Sequence, residues 1–305
     1  MSSENAYLEK LLTLAAKQKR GWGEIALVLL EAEAAGSWRN QADTLSDWVT
    51  SVAQTLDLGE ASVWRYLSSA RYALELHGVW LGQASEEDLI DMLNQASPEN
   101  LELLSKLERV APPEMFAELK QQVLRGSMSR AKLRAAWQDF RPALGGRTAQ
   151  GVGKATPRVD LSDPEQQAAV FRGLALTALT NFAELLSERA PHAYMLFKDV
   201  GFDPAVVFDA VCAVQQTEWS KPTLHGIVIA RDGKVPSDLR LRAEYADATW
   251  FITAGDVTPA LPRGVGHVSL SNNELRVVFS AMVTTPDAAK SEYLLRAVLL
   301  RVLSR

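Results

Sequence analysis

In 305 residues the chain has one cysteine, Cys212, and four histidines, His77, His192, His225 and His267. A lone thiol excludes an internal disulfide, and the histidines lack the paired spacing of a zinc site, which argues against a structural metal. Long apolar runs are missing too. Nowhere do about 18 apolar residues follow one another, and the start Met1-Ser2-Ser3-Glu4-Asn5-Ala6-Tyr7 lacks the basic and apolar stretches of a signal peptide. The expectation is a cytoplasmic protein with no membrane partner. Positive charge is also scarce, with 32 Lys and Arg against 37 Asp and Glu for a net charge of −5. That argues against a protein that coats nucleic acid nonspecifically, because such affinity comes from cations releasing counterions. A site-specific binder stays open, since cations can be confined to one surface. No Gly-rich loop with Lys-Ser/Thr points to an ATPase, and no Gly-x-Ser-x-Gly elbow points to a serine hydrolase. Cys212 lies in an apolar run and reads as core.

What is present is most informative at residues 52–67, Val-Ala-Gln-Thr-Leu-Asp-Leu-Gly-Glu-Ala-Ser-Val-Trp-Arg-Tyr-Leu, which have the spacing of two short helices joined by a tight turn. Ala53 falls where the second helix crosses the first and a small side chain is needed. Gly59 falls at the turn, where a left-handed or capping conformation costs little. Leu56, Leu58, Val63 and Leu67 supply apolar pegs, Trp48, Val49 and Val52 line the buried face of the first helix, and Thr44 or Ser46 caps it. Glu60, Ala61, Ser62, Trp64, Arg65 and Arg71 fall on other faces of the second helix, the first few placed to meet base edges or phosphates. The unit resembles the helix-turn-helix of bacterial and plasmid regulators and partition proteins. That resemblance implies double-stranded DNA as partner and a nucleoid-associated protein, with Ser62 and Arg65 foremost in the contact. A purely structural helical hairpin gives part of the same pattern.

Helical spacing surrounds this unit. Residues 6–35 read as helices broken at Gly21-Trp22-Gly23. Three more helix starts are marked by Ser85-Glu86-Glu87-Asp88, Ser97-Pro98-Glu99-Asn100 and Pro112-Pro113-Glu114. Residues 123–137 then carry a helix capped by Ser129, whose basic side holds Arg130, Lys132 and Arg134. This is either a second DNA-facing element or a solvated face. From Arg141 the composition turns to Pro, Gly and positive charge, as in a flexible basic linker. The organisation expected is an all-α domain over 1–140 with the helix-turn-helix at about 46–71, a linker over 141–163, and a mixed α/β domain over 164–305. In the last of these, helix signal covers 164–189, β-rich runs cover 206–214, 224–229, 248–253, 265–270 and 275–283, and a final helix covers 287–303. That helix is apolar on more than one face. Burial within its own domain is the first reading and a homodimer interface the second.

Four runs in this half are Phe208-Asp209-Ala210-Val211, Leu224-His225-Gly226-Ile227-Val228-Ile229-Ala230, Ser237-Asp238-Leu239-Arg240 and Tyr245-Ala246-Asp247-Ala248-Thr249-Trp250-Phe251. In order and spacing they resemble the PD-(D/E)XK nuclease superfamily, in particular its DNA-repair and phage-associated branch. The resemblance covers about residues 165–305 and implies a restriction-endonuclease-like fold. In that family an Asp on one strand and a Glu on the next hold Mg²⁺, and a Lys two positions after the Glu orients the attacking water. Asp209 matches the first acid. Val228 and Ala230 stand where the Glu and Lys belong, and neither side chain ligates a metal or donates a hydrogen bond. Glu218, Asp232 and Lys234 are nearby but fall in expected loops. The expectation is a catalytically inactive, nuclease-like domain without a cofactor, Mg²⁺ being required only if a nuclease has been rebuilt around Asp209. The expected function is DNA binding, as a regulator or maintenance factor of a plasmid, phage or other mobile element. A Mg²⁺-dependent nuclease and a protein-interaction adaptor are the alternatives.

Overall fold

The computed structural model describes residues 3–17, 21–146, 158–181, 190–203, 206–255, 257–286 and 288–303. The chain divides into two compact units, Met1–Trp137 and Gln138–Arg305. The first is helical, with α1 (Ser3–Ala16), α2 (Trp22–Ala34), α3 (Leu45–Leu56), α4 (Glu60–His77), α5 (Glu86–Asn94), α6 (Pro98–Leu107), α7 (Pro113–Leu124) and most of α8 (Arg130–Phe140). Three starts are capped as their residues dictate. The hydroxyls of Thr44, Ser85 and Ser97 accept the backbone N–H groups of Asp47, Asp88 and Asn100 at 3.1, 3.2 and 3.2 Å, each satisfying a donor that the helix itself leaves unpaired. Helix α2 buries Ile25, Ala26, Leu27, Val28, Leu29, Leu30 and Ala32. A helix apolar around its circumference must be covered on several sides, and α1, α4 and α5 cover it.

The α3–α4 hairpin closes over Val52, Ala53, Leu56, Val63 and Leu67, none more than 3% exposed. At its turn Gly59 takes the capping one of the two conformations expected of it, as N-cap of α4. The left-handed residue is Asp57, at φ 52°, whereas Gly59 is extended at φ −71° and ψ 140° and has open space where a Cβ would stand. A short polar side chain tolerates the left-handed region. The Asp57 and Leu58 N–H groups turn back to the Gln54 and Ala53 carbonyls at 3.2 and 2.9 Å, which ends α3.

The second unit contains α9 (Pro164–Asn181), β1 (Ala193–Asp203), β2 (Val206–Gln215), β3 (Thr223–Ile229), α10 (Leu239–Arg242), β4 (Ala248–Ala254), β5 (Gly266–Ser271), β6 (Glu274–Phe279) and α11 (Ala288–Leu303). The six strands form one sheet in chain order. Strands β1, β2 and β3 run antiparallel, β3, β4 and β5 parallel, and β6 antiparallel to β5. Helix α9 covers one face, setting Phe171, Ala175, Leu176 and Leu179 against Ala210, Cys212, Ile227, Trp250 and Ile252. Leu239 of α10 and Leu294 and Val298 of α11 cover the other, against Phe208, Val211, Val228 and Phe251. The chain is thus a helical region followed by a mixed α/β layered unit. Among the described residues no helix is long and apolar enough to cross a membrane.

Several particulars were not foreseen. Strand β1 was missed because Asp199 and Gly201 interrupt its apolar pattern, and the strand passes through Asp199 at φ 54°. The expected run 275–283 stops at Phe279, beyond which Met282 and Val283 are exposed. Residues 182–189 of the expected helix, and 147–157 of the expected linker, lie outside the described residues. Arg141–Leu144 form a 3-10 turn with Ala143 and Leu144 buried. In α11, Leu294 and Val298 are buried while Tyr293, Leu299, Leu300 and Val302 are exposed.

Two residues of the β3 motif have structural roles. A Cβ on Gly226 would lie 2.3 Å from the ring of Phe208, so Gly226→Ala should destabilise the second unit by about 2 kcal/mol through overpacking, read as a lower midpoint in urea. His225 is buried and its Nδ1 accepts the Trp250 indole N–H at 3.1 Å. Burial pushes its pKa down to about 4, against a partial opposing effect of Asp247. Because the folded value lies below the ordinary one of 6.5, the unfolded chain takes up the proton first as pH falls. The stability gained by keeping His225 neutral is complete above pH 6.5 and is lost as pH falls toward 4, amounting to about 3 kcal/mol. The stability difference between wild type and His225→Gln, followed by urea unfolding, should therefore shrink across that window.

Candidate nucleic-acid interface

Helix α4 begins at the turn after Asp57, and its first two turns divide cleanly. Val63 and Leu67 are fully buried, Glu60, Ala61 and Ser68 are exposed, and Ser62, Trp64 and Arg65 are half-buried. The hairpin packing alone dictates this, because the pegs at four-residue spacing turn the intervening positions outward. The cations expected to meet DNA are not free on this helix. Arg65 donates from Nε to Glu102 Oε2 at 3.0 Å and from Nη1 to Glu99 Oε1 at 3.4 Å. Arg71 pairs through two donors with Glu33 of α2. Burial raises the Glu102 carboxyl, but Lys106 and Arg65 outweigh it and hold the group below its usual range. It therefore stays charged.

The second basic element differs. The Ser129 hydroxyl accepts the Lys132 N–H at 3.3 Å, Leu133 and Ala136 face inward, and Arg130, Lys132 and Arg134 are exposed. Between Leu119 and Gln138 the chain has five cations, Lys120, Arg125, Arg130, Lys132 and Arg134, and no acid. Among the described residues, Arg125, Arg130, Lys132 and Arg134 form no ion pair.

The first turn of α6 brings the two elements together. It holds Arg65 through Glu99, accepts the Ser69 hydroxyl at the Pro98 carbonyl (2.8 Å), and sends the Asn100 amide to the Met128 carbonyl (3.2 Å) at the head of α8. The start of α4 and the start of α8 therefore share one end of the first unit. Glu99 and Glu102 were not foreseen as part of this surface. Their three-residue spacing announces a shared helix face, but their partner Arg65 is 34 and 37 residues away.

In the second unit Asp209 is engaged on both carboxylate oxygens, taking the Arg172 Nε–H at 2.8 Å and the Ile229 backbone N–H at 2.8 Å. Arg172 also donates to Asp199 at 2.6 Å. Desolvation lowers the Arg172 pKa, but Asp209 and Asp199 outweigh it and raise the pKa. Val228 belongs to the core beneath α11, whereas Asp209 is bound from α9 on the opposite face, so the matched positions do not converge. Nearby, Lys198 donates to both oxygens of buried Asp139 at 2.6 Å, and Arg301 donates to the Asp199 carbonyl at 2.7 Å. These groups border a cleft of about 690 Å³. Burial pushes the Asp139 carboxyl up despite Lys198. Among the described residues no set of three or more His, Cys, Asp or Glu side chains is placed to hold a metal.

No family model and no curated protein matches the chain. A solved protein of unknown function from Silicibacter pomeroyi aligns over 37% of this chain and 77% of its own, at 12% identity and a TM-score of 0.31. An overlap that slight carries no argument about fold or function.

The contacts of Asp209 make it a clamp between α9, β2 and β3. Asp209→Ala should lower the stability of the second unit by about 2 kcal/mol, because it strands a partly buried N–H and removes one partner of a half-buried guanidinium. An unchanged urea midpoint would remove that role.

Proposed function

We propose that the chain binds duplex DNA through the end of the first unit where α4 and α8 begin, and serves as a regulator or maintenance factor rather than as a nuclease. The observation that carries this reading is the exposed group Arg125, Arg130, Lys132 and Arg134, which has no acid partner among the described residues, in the same unit as the capped α3–α4 hairpin. Cations without carboxylate partners attract phosphates at no cost in broken ion pairs. Their confinement to one surface reconciles DNA binding with a net charge of −5. The exposed start of α4 supplies the element that enters a groove, as in other helix-turn-helix proteins.

For the second unit, the proposal is a nuclease-like domain that has kept the architectural half of its motif. The matched runs fall on successive elements, with His225 to Ile229 on β3, Ser237 and Asp238 just before α10, and Tyr245 to Asp247 just before β4. What remains of the motif has structural work. His225 accepts from Trp250, Gly226 makes room for Phe208, Asp238 pairs with Arg242 at 2.8 Å, and Asp247 accepts the Leu224 N–H at 2.7 Å. The positions that would serve only chemistry, Val228 and Ala230, are apolar and packed.

The test is titration of the full chain against a labelled duplex at several salt concentrations. Wild type should bind at low salt and weaken steeply as salt rises. Replacing Arg130, Lys132 and Arg134 together by Glu should weaken binding at least about tenfold and reduce the slope of log K against log salt by about three. If wild type does not bind duplex DNA at low salt, the reading is wrong.

A further inference from the structure

We infer that Arg65 is a phosphate ligand held by the carboxylates of Glu99 and Glu102, and that duplex DNA takes it over by exchange. This rests on the DNA-binding reading above. The guanidinium meets the two carboxylates at 3.4 and 3.0 Å. Its side chain is 33% exposed and theirs 29% and 38%, so water and ions reach the pair and it can open. Oxygens of two carboxylates offer the planar guanidinium the same kind of anionic acceptor that a phosphodiester offers. Exchange therefore replaces one set of charge-assisted hydrogen bonds by another of like kind and leaves no donor stranded.

Position makes the exchange specific to bound DNA. The clamp lies on the α6 turn that also anchors Met128 at the head of α8, next to the unpaired cations of that helix. A backbone seated on Arg130, Lys132 and Arg134 raises the local concentration of phosphate beside Arg65. Glu102 is also paired with Lys106 at 2.6 Å. Lys106 then remains to neutralise Glu102 when Arg65 leaves. In free protein the clamp cancels the positive charge of Arg65, so contact through Arg65 is reserved for a duplex already held by α8.

The experiment is a double-mutant cycle on the full chain, with affinity for a fluorescein-labelled duplex read by anisotropy and folding checked by circular dichroism. Glu99→Gln with Glu102→Gln should bind about fivefold tighter than wild type, and its slope of log K against log salt should steepen by about one. Both gains should vanish when Arg65→Ala is added. Glu99→Gln alone leaves the Glu102–Lys106 pair intact and should show part of the gain, so a folding defect in the double variant does not hide the effect. An equal gain in the Arg65→Ala background means simple charge repulsion and overturns the exchange. Unchanged affinity in folded variants overturns it as well. If wild type and every variant fail to bind at low salt, the DNA-binding reading falls with it, an outcome distinct from binding without exchange.

Discussion

A guanidinium that leaves bulk water must meet acceptors, and carboxylates meet it best, in charge-assisted and often bidentate pairs. That constraint organises both units. In the first, Arg65 and Arg71 of α4 are bound by Glu99 and Glu102 of α6 and by Glu33 of α2, tying the central helix to its neighbours. In the second, Arg172 of α9 spans Asp199 of β1 and Asp209 of β2, tying a covering helix to the sheet. The exposed pairs contribute little each to stability. Their larger effect is on function, because a paired cation presents almost no field to a distant phosphate. On α8, by contrast, Arg130, Lys132 and Arg134 are exposed and have no acid partner among the described residues.

The same pairing holds Asp209 in its partly buried place on β2. Here a guanidinium and a backbone N–H satisfy Asp209 fully. Val228 packs in the core under α11 and Ala230 packs against it, so neither needs a polar partner. His225 and Gly226 show the complementary case. A buried imidazole that accepts from an indole, and a glycine against an aromatic ring, are tolerances of packing, and they hold whether or not chemistry takes place.

Much of the layout was legible because local signals agreed with one another. Thr44, Ser85 and Ser97 precede acids and apolar runs, and each became a cap. The pegs Leu56, Val63 and Leu67, with Ala53 between, became the closed hairpin. Strand β1 was hidden because its pattern breaks at Asp199, which is left-handed, and its register shifts between Gly201 and Asp203. Glycine is the usual occupant of left-handed positions, yet at this turn Asp57 holds that conformation and Gly59 takes the other one expected of it, the extended N-cap of α4.

Periodicity and capping by themselves pointed to a helical hairpin at about residues 46–71 and to a basic helix after Ser129, because these depend on contacts a few residues apart. The order of apolar runs likewise determined that the second half contains a sheet flanked by helices. Only the tertiary structure decided which cations are available. Arg65 and Arg130 look alike in the sequence, but α6 folds back to set two carboxylates on the first and leaves the second in water. Ion pairing between residues more than 30 positions apart is a property of packed helices, and spacing along the chain carries no trace of it.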